Sequence, residues 1–413
     1  MQSKTKVRLY QIPGFGFPGL HAESFQTARM AEAFLECGVN ATIVYPWSSR
    51  MIPWRDVGAT YGVHRSLKRK ILPGFYLTSS RWRSFTNPLL RISLALFAIK
   101  SGRKSVFIGR HPHLDPVATL IWLKARNLLR ASIFIELHEP HHYLAAVDSS
   151  IDGYIVVSEA LKLFLIQAGV IAERILLAPN AVDLRSYEEA HEHGRPALRK
   201  QLGLPESHAV ICYAGQLGPG RNVETLIAAM RNVEESAILV LVGGKNSDDV
   251  QRVQTFIDSN QLSHRVRLVG QQPATTVTHF QLAADVLVIP YDSRLSHSKW
   301  CSPLKLWEYL ASGKPIVAFS IPALRQVLLD NEVVWAKEET SIGLAEAIKE
   351  ALTRDPRPFQ EIRARLSDST WGDRARHIAN FMGVKQRRIV RLEPIEQACG
   401  IDQQSNHVAV ADR

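Results

Sequence analysis

Cysteine is scarce in this chain, and long apolar runs are missing. Cys37, Cys212, Cys301 and Cys399 lie far apart with no C-x-x-C pair, which argues against a disulfide framework or a zinc knuckle. Apolar runs such as residues 92–99 stop far short of the roughly 20 residues that a bilayer span needs. The opening residues, 1–6, are polar and lack the apolar core of a signal peptide, so a cytoplasmic protein is expected. Internal repeats and low-complexity tracts are also missing. Acids are nearly absent between residues 50 and 130, where 16 Lys and Arg meet only Asp56 and Asp115. That segment carries +14 in a chain of net +11, leaving the other 332 residues at −3. No nucleic-acid recognition motif and no aromatic–basic interleaving accompanies the charge, so nucleic acid is not an expected partner.

What remains is the composition of a globular protein. Its 413 residues suit two or three domains, and apolar residues at 46% with charged residues at 22% lie near ordinary averages. Short β-rich runs alternate with helical periods in the first half: strands over 7–12, 41–45, 105–108, 132–137 and 154–157, with a helix over 21–37 and another from Ser158. The charged stretch 188–203, with Gly194 and Pro196, reads as the connection between domains. Alternation then restarts, with strands over 208–213, 237–242, 266–269, 286–290 and 315–319. Two successive β-α series predict two doubly wound parallel-sheet domains of the α/β class, and ligands of such sheets bind beyond the carboxyl ends of strands.

The basic segment contains a helix signal at Asn87-Pro88. Phe85, Leu89, Ile92, Leu96 and Ile99 form one apolar stripe, flanked by cations such as Arg91, Lys100, Arg103 and Lys104. The stripe alone reads first as the side turned to the core. The charge excess over residues 65–104 points instead to an anionic membrane surface as a partner.

Several stretches could carry chemistry. Gly14-Phe-Gly16-Phe-Pro-Gly19 matches G-x-G-x-x-G between the first strand and first helix, as a phosphate-binding turn would. The acid of a dinucleotide site is absent, since the second strand ends at Tyr45-Pro46, and Pro18 removes an amide donor. Ala214-Gly215-Gln216 through Gly220-Arg221 follows a strand and leads into a helix, which brings free amides and a guanidinium to one turn, both suited to a diphosphate. Ser302-Pro303-Leu304-Lys305 opens another helix, with Glu308 one turn on and Gly313 closing it. A cation there suits a phosphate, and the carboxylate suits a ribose diol; a local surface pair is the plainer alternative. Glu136, His138, Glu139, His141 and His142 crowd the end of a strand without zinc-site spacing, so metal is not expected. Arg110-His111-Pro112-His113 is a similar loop after a strand.

Across residues 7 to about 381 the chain resembles family 4 of the retaining glycosyltransferases, which share the two-domain GT-B fold. The resemblance rests on the glycine-rich first turn, Val156-Val-Ser-Glu-Ala-Leu161, Leu177-Ala-Pro-Asn-Ala-Val-Asp183, the Arg221 loop, Ala284-Asp-Val-Leu-Val-Ile-Pro290 and Trp371-Gly-Asp-Arg-Ala375. It implies an acceptor-side domain over 1–187 and a nucleotide-sugar-binding domain over 188–370. A helix over 371–385 would cross back to the first domain, and 386–413 would be a flexible tail.

The same resemblance implies that Arg221 and Lys305 hold the donor diphosphate, that Glu308 binds the ribose, and that His138 acts beside the donor sugar. Gly14, Gly16, Gly215, Gln216, Gln271, Ser302, Pro303 and Leu304 complete the implied donor site, with Arg110, His111 and Glu139 on the acceptor side. In two places the chain departs from the family pattern: Trp300 stands where a first glutamate would, and Gln216 where an arginine is frequent. The implied activity is transfer of a sugar, with retention, from a nucleoside-diphosphate sugar to a glycan or glycolipid hydroxyl, without a further cofactor. A nucleotide-sugar epimerase and a non-catalytic subunit of the same fold are the alternatives.

Overall fold

The computed structural model describes residues 7–14, 16–47, 51–63, 66–75, 88–110, 115–140, 148–295 and 298–386. Two parallel sheets organise the chain. The first holds seven strands in the order β3-β2-β1-β4-β5-β6-β7. These are β1 (Arg8–Ile12), β2 (Ala41–Trp47), β3 (Arg69–Phe75), β4 (Ser105–Gly109), β5 (Ser132–Leu137), β6 (Gly153–Val156) and β7 (Ile175–Leu177). The second runs β10-β9-β8-β11-β12-β13: β8 (Ala209–Ala214), β9 (Ala237–Val242), β10 (Val266–Gly270), β11 (Val286–Ile289), β12 (Ile316–Phe319) and β13 (Val333–Ala336). Central strands such as Ala237-Ile-Leu-Val-Leu-Val242 are apolar throughout because helices cover both faces of each sheet, and parallel strands buried this way cannot alternate. Strand order reverses on either side of β1 and of β8, which aims the carboxyl ends of β4, β5, β8 and β11 at the crevices where such sheets bind ligands.

The two-sheet α/β architecture is the one expected from the sequence. β3, β7 and β13 were not anticipated, and all three are edge strands. An edge strand is covered incompletely and tolerates charge, proline and glycine; β3 reads Arg-Lys-Ile-Leu-Pro-Gly-Phe. Residues 188–203 hold no open linker. The helices Leu184–His191 and Arg195–Leu202 pack on the helix Ala274–Ala283, with Tyr187, Ala190 and Leu198 buried, Arg199 buried on Asp285, and Glu188, Glu189, Arg195 and Lys200 turned outward.

A second departure concerns the helix Pro88–Ser101. Its buried side is Leu90, Leu94 and Ala98, packed against β3 and the helix Asp115–Ala125. The stripe read as core-facing lies on the opposite side, with Ile92 57% and Leu96 65% exposed and Leu89 and Ile99 about half exposed. Phe85 and Asn87 lie outside the described residues, as does 387–413.

The last helix, Trp371–Phe381, returns to the first domain. Thr370 and Asp373 close a capping box at its start, and Trp371, Ala375 and Ile378 share a core cluster with Leu9, Phe34 and Ile155. The chain therefore passes between the domains in two places, and the passes are joined. Val182 and Thr370 form a parallel bridge, with Val182 N–H donating to Ser369 O at 3.1 Å and Trp371 N–H to Val182 O at 3.3 Å.

Candidate active site

Between the domains lies a cavity of about 520 Å3, walled by both. Arg110, His138, Glu139, Gly215, Gln216, Arg221, Gln271, Ser302, Pro303, Leu304, Lys305 and Glu308 all line it. The sequence placed these residues on separate loops, and the fold brings them together. Gly14 and Gly16 do not line it. Their turn is used up locally: Gly14 N–H donates to the Glu23 carboxylate, Gly19 N–H to Ser24 Oγ at 3.2 Å, and Tyr61 O–H to Gly19 O at 2.7 Å. Phe17, buried against Tyr45 and Tyr61, anchors that arrangement. His111 lies outside the described residues, as do His141 and His142. Among the described residues no group of three His, Cys, Asp or Glu side chains is placed to hold a metal ion.

Lys305 stands in the first turn of the helix Leu304–Ser312, which Pro303 precedes. Its side chain is 8% exposed, and Nζ has no hydrogen-bond partner among the described residues. Nζ sits 3.8 Å from the ring centre of Tyr213 and 4.8 Å from that of Tyr291, whose ring also carries the Arg221 guanidinium at 5.2 Å. Gly215 makes this possible, because a Cβ there would collide with Nζ. Burial, and then repulsion from Arg221, push the ammonium well below the ordinary lysine range. Two crowded cations beside aromatic rings and the helix-start amides of Leu304 and Lys305, with Glu308 the acid one turn away, make a receptor for a dianion.

An anion placed there restores the proton that the empty site disfavours. An anion favours the ammonium, so nucleoside-diphosphate affinity is expected to fall, and proton uptake on binding to grow, as pH rises toward the ordinary lysine value of 10.5. Calorimetry in buffers of different ionisation heat checks this, and binding with no proton uptake would contradict it.

Glu308, one turn further on, is half-buried and accepts from Gln281 Nε2 at 3.2 Å; desolvation raises its pKa. Gln281 is itself held by the Tyr187 hydroxyl. Ser302 Oγ accepts from Asn180 N–H at 3.1 Å and from the Trp307 indole at 3.2 Å, a pin between the domains. Trp300 is a second pin and not a cavity wall. Its ring packs edge-on to Phe164 at 5.8 Å, and its carbonyl accepts from Ser158 Oγ at 2.9 Å.

Behind the opposite wall, under Arg110 and His138, the centre is Glu136, a residue the sequence left in the background. It is the only charged residue in β5 and is buried. Its Oε1 accepts from Gln26 Nε2 at 2.8 Å, Arg374 Nη2 at 2.8 Å and His138 Nε2 at 3.0 Å, with Arg110 Nη2 at 3.5 Å. Burial alone would raise its pKa, but Arg374 and Arg110 outweigh burial and hold the carboxyl well below the usual range. Burial and the Arg110 charge press His138 down to about 4. At neutral pH the imidazole is thus uncharged. An ionised Glu136 can only accept, so His138 carries its proton on Nε2 and leaves Nδ1 as an acceptor. Arg374 comes from the returning helix, and one acid in an otherwise apolar strand was the signal that could have found its partner.

The comparisons with known proteins bear on this geometry. Residues 194–370 match the family model described as glycosyl transferases group 1. The D-inositol 3-phosphate glycosyltransferase of Xylanimonas cellulosilytica is 29% identical over 168 residues, 40% of this chain and 39% of that one. The phosphatidyl-myo-inositol mannosyltransferase of Mycolicibacterium smegmatis is 24% identical over 220 residues, 52% of this chain and 50% of that one. These matches span half or less of either curated relative. Among solved structures, sucrose-phosphate synthase of Thermosynechococcus elongatus superposes with a TM-score of 0.70 at 19% identity, over 91% of this chain and 98% of that one. Anabaena HepE in complex with UDP and glucose gives 0.64 at 16% identity, over 92% and 100%. The paired parallel sheets and the cleft between them are those of the GT-B fold that these solved structures share, and the second domain carries the match to the glycosyl transferases group 1 model.

Proposed function

We propose that the protein transfers a sugar from a nucleoside-diphosphate sugar to a hydroxyl of a lipid-linked or cell-surface glycan, on the cytoplasmic side of the membrane. One observation carries the reading: Lys305, buried at a helix start with no hydrogen-bond partner for Nζ among the described residues, stands beside Arg221 in a cavity walled by both domains. In such a reaction the bond from the anomeric carbon to the leaving phosphate oxygen breaks while an acceptor oxygen bonds to the same carbon. Negative charge growing on the diphosphate meets Lys305, Arg221 and the amides of Leu304 and Lys305, fixed before the reaction begins. Glu308 is placed one helical turn away for the ribose, with Gly215, Gln216, Gln271, Ser302 and Pro303 around the donor. Neutral His138, steered by Glu136, offers Nδ1 to a sugar or acceptor hydroxyl, with Arg110 and Glu139 beside it. Retention follows the family resemblance, with attack from the face the diphosphate leaves. UDP and glucose are named with HepE, which makes UDP the first nucleotide to try.

Thermal unfolding with UDP, GDP, ADP and NADH tests the donor site. A ligand at 100 times its Kd adds about 2.7 kcal/mol to the folded state. A marked rise in Tm with one nucleoside diphosphate, lost in Arg221→Ala, is the expected result. A shift with NADH alone, or none with any diphosphate, would refute the assignment.

A further inference from the structure

We propose that the outward side of the helix Pro88–Ser101, with the neighbouring end of the helix Asp115–Ala125, docks the protein on an anionic bilayer surface. The inference goes beyond the transfer reaction and needs neither donor nor acceptor.

The helix is apolar on two opposite sides. Leu90, Leu94 and Ala98 satisfy the fold, so nothing in the folding of this domain requires Ile92, Leu96 and Ile99 to be apolar, and yet they face water. Trp122 at 50% and Leu128 at 52% exposure stand on the adjoining helix and the loop after it, and Ile71 on the edge strand β3 is 42% exposed. An exposed apolar helix side that the fold does not use marks a place where something else binds.

Charge selects the occupant. Lys70, Lys100, Arg103, Arg126 and Arg130, on the same elements or the turns that end them, are all exposed, and Arg126 lies 4.2 Å over the Trp122 ring, an aromatic–cation pair suited to the headgroup level. The whole 50–130 segment offers only two acids to offset its cations. An apolar stripe about two turns long, bordered by cations, can lie in the interface plane with its side chains among the acyl boundary and the cations at anionic headgroups. A protein partner would need an apolar surface with matching acids. A second copy of this chain would bring its own cations against these, which like-charge repulsion opposes. No helix among the described residues is long and apolar enough to cross a membrane, so attachment by this face would be peripheral.

The test is flotation of the full chain with vesicles of phosphatidylcholine alone and of equal parts phosphatidylcholine and phosphatidylglycerol, without nucleotide. Flotation with the anionic vesicles only, weakening with salt, is expected. Ile92→Glu with Leu96→Glu should reduce it about tenfold or more, and Lys100→Glu with Arg103→Glu similarly. All four positions are exposed, and an unchanged Tm confirms that each variant is folded. Should the apolar pair fail to fold, the charge pair decides. Failure to float with anionic vesicles would overturn the proposal, as would binding that both variants leave intact. A dimer in light scattering that Leu96→Glu dissolves would equally overturn it, assigning the face to a second copy.

Discussion

Lys305→Met is expected to make the empty protein more stable while lowering sugar transfer about 10²–10³-fold, the scale of one preorganised charge-stabilising donor. The two effects have one cause. Lys305 is buried beside Arg221 with no partner for Nζ, so the folded protein holds a group it would shed if stability were all that mattered. Methionine keeps the length and apolar contact of the stem and removes the unsatisfied head, a gain of about 1–3 kcal/mol. The sign with pH follows. A lysine whose folded pKa is depressed destabilises the fold in full below that pKa, and the penalty fades as pH climbs toward the ordinary value of 10.5. The advantage of the variant should therefore be largest at low pH and vanish on the alkaline side. Urea unfolding across pH, beside transfer rates, checks both halves. A variant that is destabilised, or one that transfers normally, would remove Lys305 from the role given to it.

Arg374→Ala is expected to destabilise the protein by about 3–5 kcal/mol, because it strands a buried carboxylate. Arg374 Nη2 is 2.8 Å from Glu136, with the side chains 3% and 7% exposed, and Arg374 also donates to the carbonyls of Ala178 and Pro179. Without it Glu136 keeps only Arg110 as a cation, so its pKa must climb. In the wild type the depressed Glu136 contributes stability that is present above its unfolded value and lost as pH falls. The gap between variant and wild type should thus be widest at neutral pH and close progressively as pH falls below the ordinary carboxyl value of 4.5. Transfer should fall as well, since His138 loses the charge balance that fixes its orientation. Glu136→Gln separates these effects: it removes the stranded charge and restores much of the stability of the Arg374→Ala protein, but not its activity. Urea midpoints of the single and double variants decide this, and a midpoint for Arg374→Ala close to wild type would contradict it.

The central strands were legible because parallel strands covered on both faces are written as plain apolar runs, as in Ala237–Val242. β3 and β7 were not, because an edge obeys weaker rules and β7 is only three residues long. Helix direction was harder still. On Pro88–Ser101 two apolar stripes compete, and periodicity finds both without saying which one the sheet takes. At the site, Arg221 and Lys305 could be read because Gly220 and Pro303 mark the loop and the helix start that hold them, and Glu308 because it follows Lys305 by one helical turn. Glu136 and Arg374 could not be paired, since nothing local joins positions that lie 238 residues apart in the chain. Trp300 illustrates the opposite limit: a missing glutamate is visible in the sequence, but its replacement's task as packing against Phe164 exists only in three dimensions.

The doubled crossing between the domains has a mechanical consequence. One flexible strand would act as a swivel and let the two halves turn about it freely. Here the outgoing pass at Val182 and the returning pass at Thr370 are laced side by side by hydrogen bonds, and two laced strands behave as a strip. A strip yields to bending across its width and resists torsion. Turning one half about a single pass would therefore have to break these bonds, so the two passes move together and Lys305 and His138 keep their facing positions as long as the lacing holds.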